Sequence, residues 1–390
     1  MPQLPQPSPS PKPKKKIRVP RVVNGIEQMV EIEVDEESGP GWGPNDKHRL
    51  LNKRITRVDG PLKAAGVARY TYDQRLPGML YSRILRCPHG HARVTKLDTD
   101  AASKIPGVKA IIEAPLKELR YAGAPVAAVA ATTPEIAGDA LRAIKVTYEV
   151  LPHVVRAADA IKPGAAKVVE DEKENNLQEK AKNGDLKKVE AAFATADEIV
   201  EAEYICSRVH HACLETHGMV VDYRGDDQAT IYASTQGTFT IPGDAAKELG
   251  LQQSAVTSIV EHMGGGFGSK FGIGIEGMLA CRLSKQTKVP VKMMLTRYDE
   301  FVMAGNRSGA WQKLKAGVKK DGTIVAMQAR QYRLGGIGQG SQAGQPYIYA
   351  MGEAYREIYA LHTNEDSAIA MRAPGHPQAS FAAESLVDEL

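Results

Sequence analysis

Gly264-Gly265-Gly266-Phe267-Gly268-Ser269-Lys270 follows directly on the β-type run SAVTSIVEH at 254–262. Four glycines in five positions free the backbone to take positive φ and to bring its N–H groups close to an anionic or polar ligand. Two phosphate-binding patterns fail here. The Walker loop wants Gly then Lys where Ser269 precedes Lys270, and the dinucleotide pattern G-x-G-x-x-G, counted from Gly266 and Gly268, meets Phe271 at its last glycine. A tight turn without a ligand stays open as the alternative.

On both sides of this loop the spacing of apolar residues predicts an α+β chain. After it come a helix over 276–284, the strand VPVKMML (289–295) and two strand runs, KLKAGVK (313–319) and TIVAMQARQY (323–332). The helical segment 379–390 reaches Leu390 without a C-cap or turn residue, so a chain cut inside a domain is expected. Before the loop lie an amphipathic helix over 186–194, the strands EIVEAEYIC (198–206), MVVDY (219–223) and ATIYAS (229–234), and a helix over 242–249. These elements make one expected domain, 186–390. Residues 154–185, including DEKENNLQEKAKNGD (171–185), read as a polar linker. A further α/β unit is expected over 57–153. Its strands are VARYTY (67–72), MLYSRIL (79–85), HARVTKL (91–97), VKAIIEA (108–114), PVAAVAA (125–131) and IKVTYEV (144–150), and its capped helix starts at Thr133-Pro134-Glu135. Residues 1–56 are a Pro/Lys/Glu-rich leader, expected to be extended on the surface, with a turn-dense stretch from Gly39 to Pro44.

Composition narrows the function classes. With 390 residues, 43% hydrophobic and 25% charged, the chain can bury a real core. The longest apolar stretch, Pro125 to Ala131, is far short of a membrane span of roughly 18–20 residues. Net charge is +4, part of it concentrated at Lys12 to Lys16, so the body is near neutral and nucleic acid is a poor expected ligand. Four scattered cysteines without a C-x-x-C pair exclude a disulfide framework, and no iron–sulfur cluster or zinc ribbon is expected on this chain alone. No secretory or twin-arginine signal is legible in the leader, which makes the cytoplasm the expected compartment.

Two further clusters carry candidate chemistry. His210, His211, Glu215 and His217 in HHACLETH are metal-ligand types, but the spacing is not H-E-x-x-H, and buried polar groups at a junction are the favoured reading. In Met371-Arg372-Ala373-Pro374-Gly375 the arginine can offer paired donors to an oxyanion; alone it is more often a surface turn.

Taken in order with Ser234-Thr235-Gln236, these features make the sequence resemble the large, molybdenum-cofactor subunit of the xanthine dehydrogenase and aldehyde oxidase family. The likeness runs through Arg57-Val58-Asp59-Gly60, Arg86-Cys87-Pro88-His89-Gly90-His91-Ala92, Gly123-Ala124-Pro125-Val126-Ala127, Tyr148-Glu149-Val150-Leu151-Pro152, Leu214-Glu215-Thr216-His217 and both loops. It implies an α/β hammerhead domain followed by a truncated molybdenum-cofactor-binding domain. It also implies that Gln236, Gly265, Gly266, Phe267, Gly268 and Arg372 meet molybdopterin, with a cytosine dinucleotide as one form, and that no side chain ligates the metal. Phe271, Ala373 and Pro374 face the substrate in this reading. The reaction implied is hydroxylation with oxygen from water, of aldehydes or neutral aromatic heterocycles, in an apolar pocket. Purine-oxidising members place a glutamate where this chain has Phe271, and carbon monoxide dehydrogenases a cysteine where it has Ala373. The family's catalytic glutamate lies in a G-x-G-E loop that does not occur before Leu390, and electrons would leave through separate iron–sulfur and FAD subunits. A naturally short, non-catalytic cofactor-binding or assembly module is the competing expectation.

Overall fold

The structure, a computed structural model, describes residues 14–23, 26–35, 47–51, 53–169 and 176–390. The Pro-rich start, the turn-dense Gly39 to Pro44 stretch and residues 170–175 of the polar segment lie outside them. The chain divides into two compact units, residues 1–67 and 68–390.

The first unit corrects the expectation of an extended leader. Strands β1 (Lys14–Val23) and β2 (Ile26–Asp35) pair antiparallel, and α1 (Gly60–Ala64) follows. The physical reason is a period-two alternation of apolar and charged residues together with charge complementarity. Lys16 and Arg18 stand opposite Glu33 and Glu31, and Lys16 Nζ lies 3.1 Å from Glu31 Oε1. Lys16 and Arg18 are thus answered by Glu31 within their own hairpin.

The second unit contains β3 (Leu80–Arg86), β4 (Ala92–Asp98), α2 (Asp100–Ser103), β5 (Val108–Glu113), β6 (Glu118–Leu119), β7 (Pro125–Ala131), α3 (Pro134–Ala143), β8 (Lys145–Val150) and α4 (Ala157–Ala160). It continues with β9 (Leu177–Asn183), α5 (Leu186–Phe193), β10 (Glu198–Cys206), β11 (Gly218–Asp222), β12 (Ala229–Ala233), α6 (Ile241–Leu249), β13 (Val256–Ile259), α7 (Gly274–Thr287) and β14 (Val291–Met294). Helix α8 (Arg297–Val302), β15 (Gly309–Val318), β16 (Ile324–Leu334), β17 (Glu353–Leu361) and α9 (His376–Glu389) complete it.

Three sheets organise these elements. A seven-stranded sheet has the order β13-β12-β11-β14-β3-β7-β5, a small one β6-β4-β8, and a five-stranded one β10-β15-β16-β17-β9. The segments expected as 57–153 and 186–390 are joined through the large sheet. Strand β3 pairs in parallel with β14, Leu80 opposite Val291, so both halves share one sheet. The polar segment is not only a linker. Its β9 pairs with β17, and the buried Asn176 binds Val168 N with its carbonyl and donates to Ala160 O and Ala166 O. An edge strand with one exposed face keeps a polar composition, which hides it from hydrophobic periodicity. The expected strand at 67–72 is replaced by a 3₁₀ turn at Thr71–Asp73, closed by the Asp73 carboxylate accepting from Tyr70 N at 3.0 Å.

The main core packs α6 and α7 against the large sheet through Ile231, Leu249, Leu279, Leu283 and Met293. Strand β7 is buried at every residue and lies between β3 and β5, pairing antiparallel with both. In the five-stranded sheet Ala326 faces α5 with Val189 and Phe193, while its neighbour Met327 faces α9 with Leu386. Among the described residues no helix is long and apolar enough to cross a membrane.

Candidate functional site

The glycine loop follows β13 and packs at Lys270 against the segment that leaves β12. That lysine, 1% exposed, donates from Nζ to Glu215 O and to Ser234 Oγ, both at 2.7 Å. Burial pushes its pKa down, an effect countered by the nearby Cys213 and Glu215. The Glu215 carboxylate is consumed in turn by Tyr72 N, Ser234 Oγ and Gly264 N. The loop is thereby clamped to the Ser234-Thr235-Gln236 segment. Gln236 N and Thr235 Oγ1 both donate to Lys270 O, at 2.7 and 2.8 Å.

At the tip, Gln236 Oε1 accepts from Gly268 N at 2.7 Å. A Cβ at 266 would stand 2.6 Å from that same Oε1 and push it aside. At 268 the backbone takes φ +110°, and a Cβ would meet Ala370 O at 2.8 Å. Between them Phe267 is held left-handed at φ +54° and stays 46% exposed. Such strain in a non-glycine residue persists only where its surroundings impose it. The imposing contact is Arg372 N, which donates to Phe267 O at 2.6 Å. Arg307 braces the second turn by donating from Nη2 to Arg372 O at 2.7 Å. Ala373, at φ +58°, shares the left-handed strain.

The structure thus brings Gln236, Gly265, Gly266, Phe267, Gly268 and Arg372 together. Among the described residues the N–H groups of Gly266 and Phe267 and the Gln236 Nε2 have no protein acceptor. The arrangement offers neutral and cationic donors with no competing ligand, which suits an oxygen-rich, anionic metal cofactor.

The substrate-side residues separate. Phe271 lines a cavity of about 360 Å3, whereas Ala373 and Pro374 are exposed and do not line it. The implied apolar pocket is mixed in this cavity. Ile275, Met303 and Ile369 share it with His217, Glu276 and Asp366. Burial raises the Asp366 pKa to about 6 against the lowering pull of Gly305 N, and burial likewise raises that of Glu276. Glu276 and Asp366 carry no local sequence signal; each is placed by contacts remote along the chain.

The histidine cluster fastens the scaffold. His217 Nδ1 lies 2.8 Å from Glu300 Oε1, and His211 Nε2 2.8 Å from Ala370 O. Burial lowers the pKa of His211, keeping it neutral.

Residues 168–390, more than half of the chain, match the family described as the molybdopterin cofactor-binding domain. The chain belongs to that family. Residues 65–115 match the a/b hammerhead domain of aldehyde oxidase and xanthine dehydrogenase, so the α+β architecture is a hammerhead domain joined to a cofactor-binding domain. Among similar proteins, the nicotinate dehydrogenase large molybdopterin subunit of Eubacterium barkeri is 29% identical, with 88% of this chain and 86% of that one covered. The aldehyde oxidoreductase molybdenum-binding subunit PaoC of Escherichia coli K12 is 28% identical, covering 90% of this chain and 49% of its own length. The CO dehydrogenase from Oligotropha carboxidovorans superposes with a TM-score of 0.76 at 24% identity, over 86% of this chain and 47% of that one, a likeness of fold. The chain therefore spans most of the first relative and about half of the other two.

Proposed function

We propose that this polypeptide holds molybdopterin in a cytoplasmic molybdenum hydroxylase that oxidises aldehydes or neutral aromatic heterocycles. When bound, the cofactor supplies the two-electron redox centre at which oxygen from water reaches the substrate carbon. The observation that carries this reading is the junction of two distant turns at Phe267, with Gln236 Oε1 on Gly268 N and Arg372 N on Phe267 O. In this reading the Gln236 amide and the free loop N–H groups bind the cofactor's oxygen atoms. The Arg372 backbone keeps Phe267 in its strained conformation, and the Arg372 guanidinium adds a positive field. Phe271 bounds the substrate space and disfavours purines, which need a polar partner there. Separate iron–sulfur and FAD subunits would carry electrons away, and the family's glutamate base would come from outside residues 1–390. The nicotinate dehydrogenase subunit, similar over most of its own length, supports a molybdopterin polypeptide of about this size acting within an assembly.

The test is to purify the native assembly from its source, identify its chains by mass, and quantify molybdenum in wild type and in Gln236→Ala and Phe267→Ala. Stoichiometric molybdenum that falls in both variants is expected. Unchanged molybdenum content and turnover in both would overturn the assignment. Phe271→Glu is expected to confer no xanthine turnover.

A further inference from the structure

A second cavity, of about 660 Å3, opens beside the 3₁₀ turn and strands β3 and β14, and shares none of Gln236, Phe267 or Arg372. Its volume falls within the range of roughly 300–1,000 Å3 typical of small-molecule sites. Four cations line it, Arg75, Arg83, Lys292 and Arg297, and none of them forms an ion pair among the described residues. Three of the four are held by backbone carbonyls instead. Arg75 donates to Tyr72 O and Gln74 O, Lys292 to the same two, and Arg297 to Cys213 O and Leu214 O. Carbonyl dipoles orient a cation without cancelling its charge.

The two carboxylates in the wall are committed elsewhere. Asp73 caps its turn through Tyr70 N, and both oxygens of Glu215 accept bonds from the loop scaffold. Even counted at full charge they leave an excess of two positive charges. The strongest single sign is Lys292, a residue only 5% exposed, with its Nζ 4.7 Å from the Tyr72 ring centroid and, among the described residues, no carboxylate within ion-pair distance. An unpaired buried ammonium is costly, and an anion entering the cavity would offset that cost. Burial and the neighbouring Arg75 push this amine down to about 8, against the raising pull of Asp73 and Glu215. Tyr72 and Tyr81 add aromatic wall.

We propose that this cavity binds a small aromatic phosphate monoester. Its dianionic head matches the twofold positive excess among Arg75, Arg83, Lys292 and Arg297, and its ring lies along the tyrosine-lined wall. Guanidinium groups suit phosphate oxygens geometrically, and tyrosine faces suit a planar ring. A carboxylate would answer half the excess, and inorganic phosphate would leave the aromatic wall unused. The site stands independently of the cofactor reading.

The experiment is calorimetric titration of the native assembly at pH 8 with phenyl phosphate, inorganic phosphate and benzoate, in two buffers of different ionisation enthalpy. Phenyl phosphate is expected to bind at least about tenfold more tightly than either control. Binding should take up roughly half a proton as Lys292 regains its charge. Arg297→Gln and Arg83→Gln, both at the cavity rim, should each weaken binding about tenfold, and Lys292→Met should abolish the proton uptake. Absence of saturable binding, equal affinity for phenyl and inorganic phosphate, or affinity unchanged in both arginine variants would each overturn the proposal.

Discussion

Replacing Gly266 by alanine tests whether the glycine loop is built around Gln236. The added Cβ would stand 2.6 Å from Gln236 Oε1 and 2.7 Å from its Cδ and Cγ. Ordinary contact needs roughly 3.4 Å or more, so the amide must retreat by about 0.8 Å. The Gly268 N to Oε1 bond, now 2.7 Å, would then stretch to about 3.5 Å and be lost. Because the displaced group is the end of a flexible side chain, it can swing away, and the cost is that of the bond. That is about 1–1.5 kcal/mol, less about 0.5 kcal/mol regained from the stiffer unfolded chain. In a Gln236→Ala background there is nothing to displace, so the same Gly266→Ala change should cost nothing or stabilise slightly. A double-mutant cycle by urea denaturation should thus show a coupling of about 1 kcal/mol, and amide exchange at Gly268 should accelerate roughly fivefold in the single variant. Equal costs in the two backgrounds, with Gly268 protection unchanged, would refute the geometry.

Other outcomes follow from single contacts. Gly138 lies inside α3 with Arg142 Nη1 3.7 Å from a would-be Cβ, so Gly138→Ala should stabilise by about 0.5–1 kcal/mol in the same denaturation assay. Thr133 caps that helix by accepting from Ile136 N at 3.2 Å, and Thr133→Ala should cost about 1 kcal/mol. Asp366 has a folded pKa raised from 3.8 to about 6 by burial, so its protonated form stabilises the fold below about pH 4 and that contribution is lost as pH rises through 6. The loss amounts to about 3 kcal/mol, and Asp366→Asn, which keeps an acceptor for Gly305 N, should flatten stability between pH 4 and 7. A wild-type profile without this decline would count against the buried carboxyl.

The cofactor loop was legible because glycine enrichment is a local signal. Four glycines in five positions mark the turn on their own, although the close contacts at 266 and 268 come from the distant Gln236 and Ala370, and the amphipathic helix at Leu186–Phe193 and the fully buried strand at Pro125–Ala131 announce themselves by period and composition. The hairpin Lys14–Asp35 was legible in principle from its alternation, but its charge masked it. What the chain alone determined is which segments are helices and strands in the main, which loop can approach an anionic cofactor, and the family resemblance those motifs carry. Only the tertiary structure decided that β3 and β14 share one sheet, that Arg372 N imposes the strain on Phe267, and that Lys292 is buried against the Tyr72 ring. Each of those pairs residues far apart along the chain, where neither periodicity nor propensity acts. Their pairing is settled by which surfaces fit when the whole core is packed.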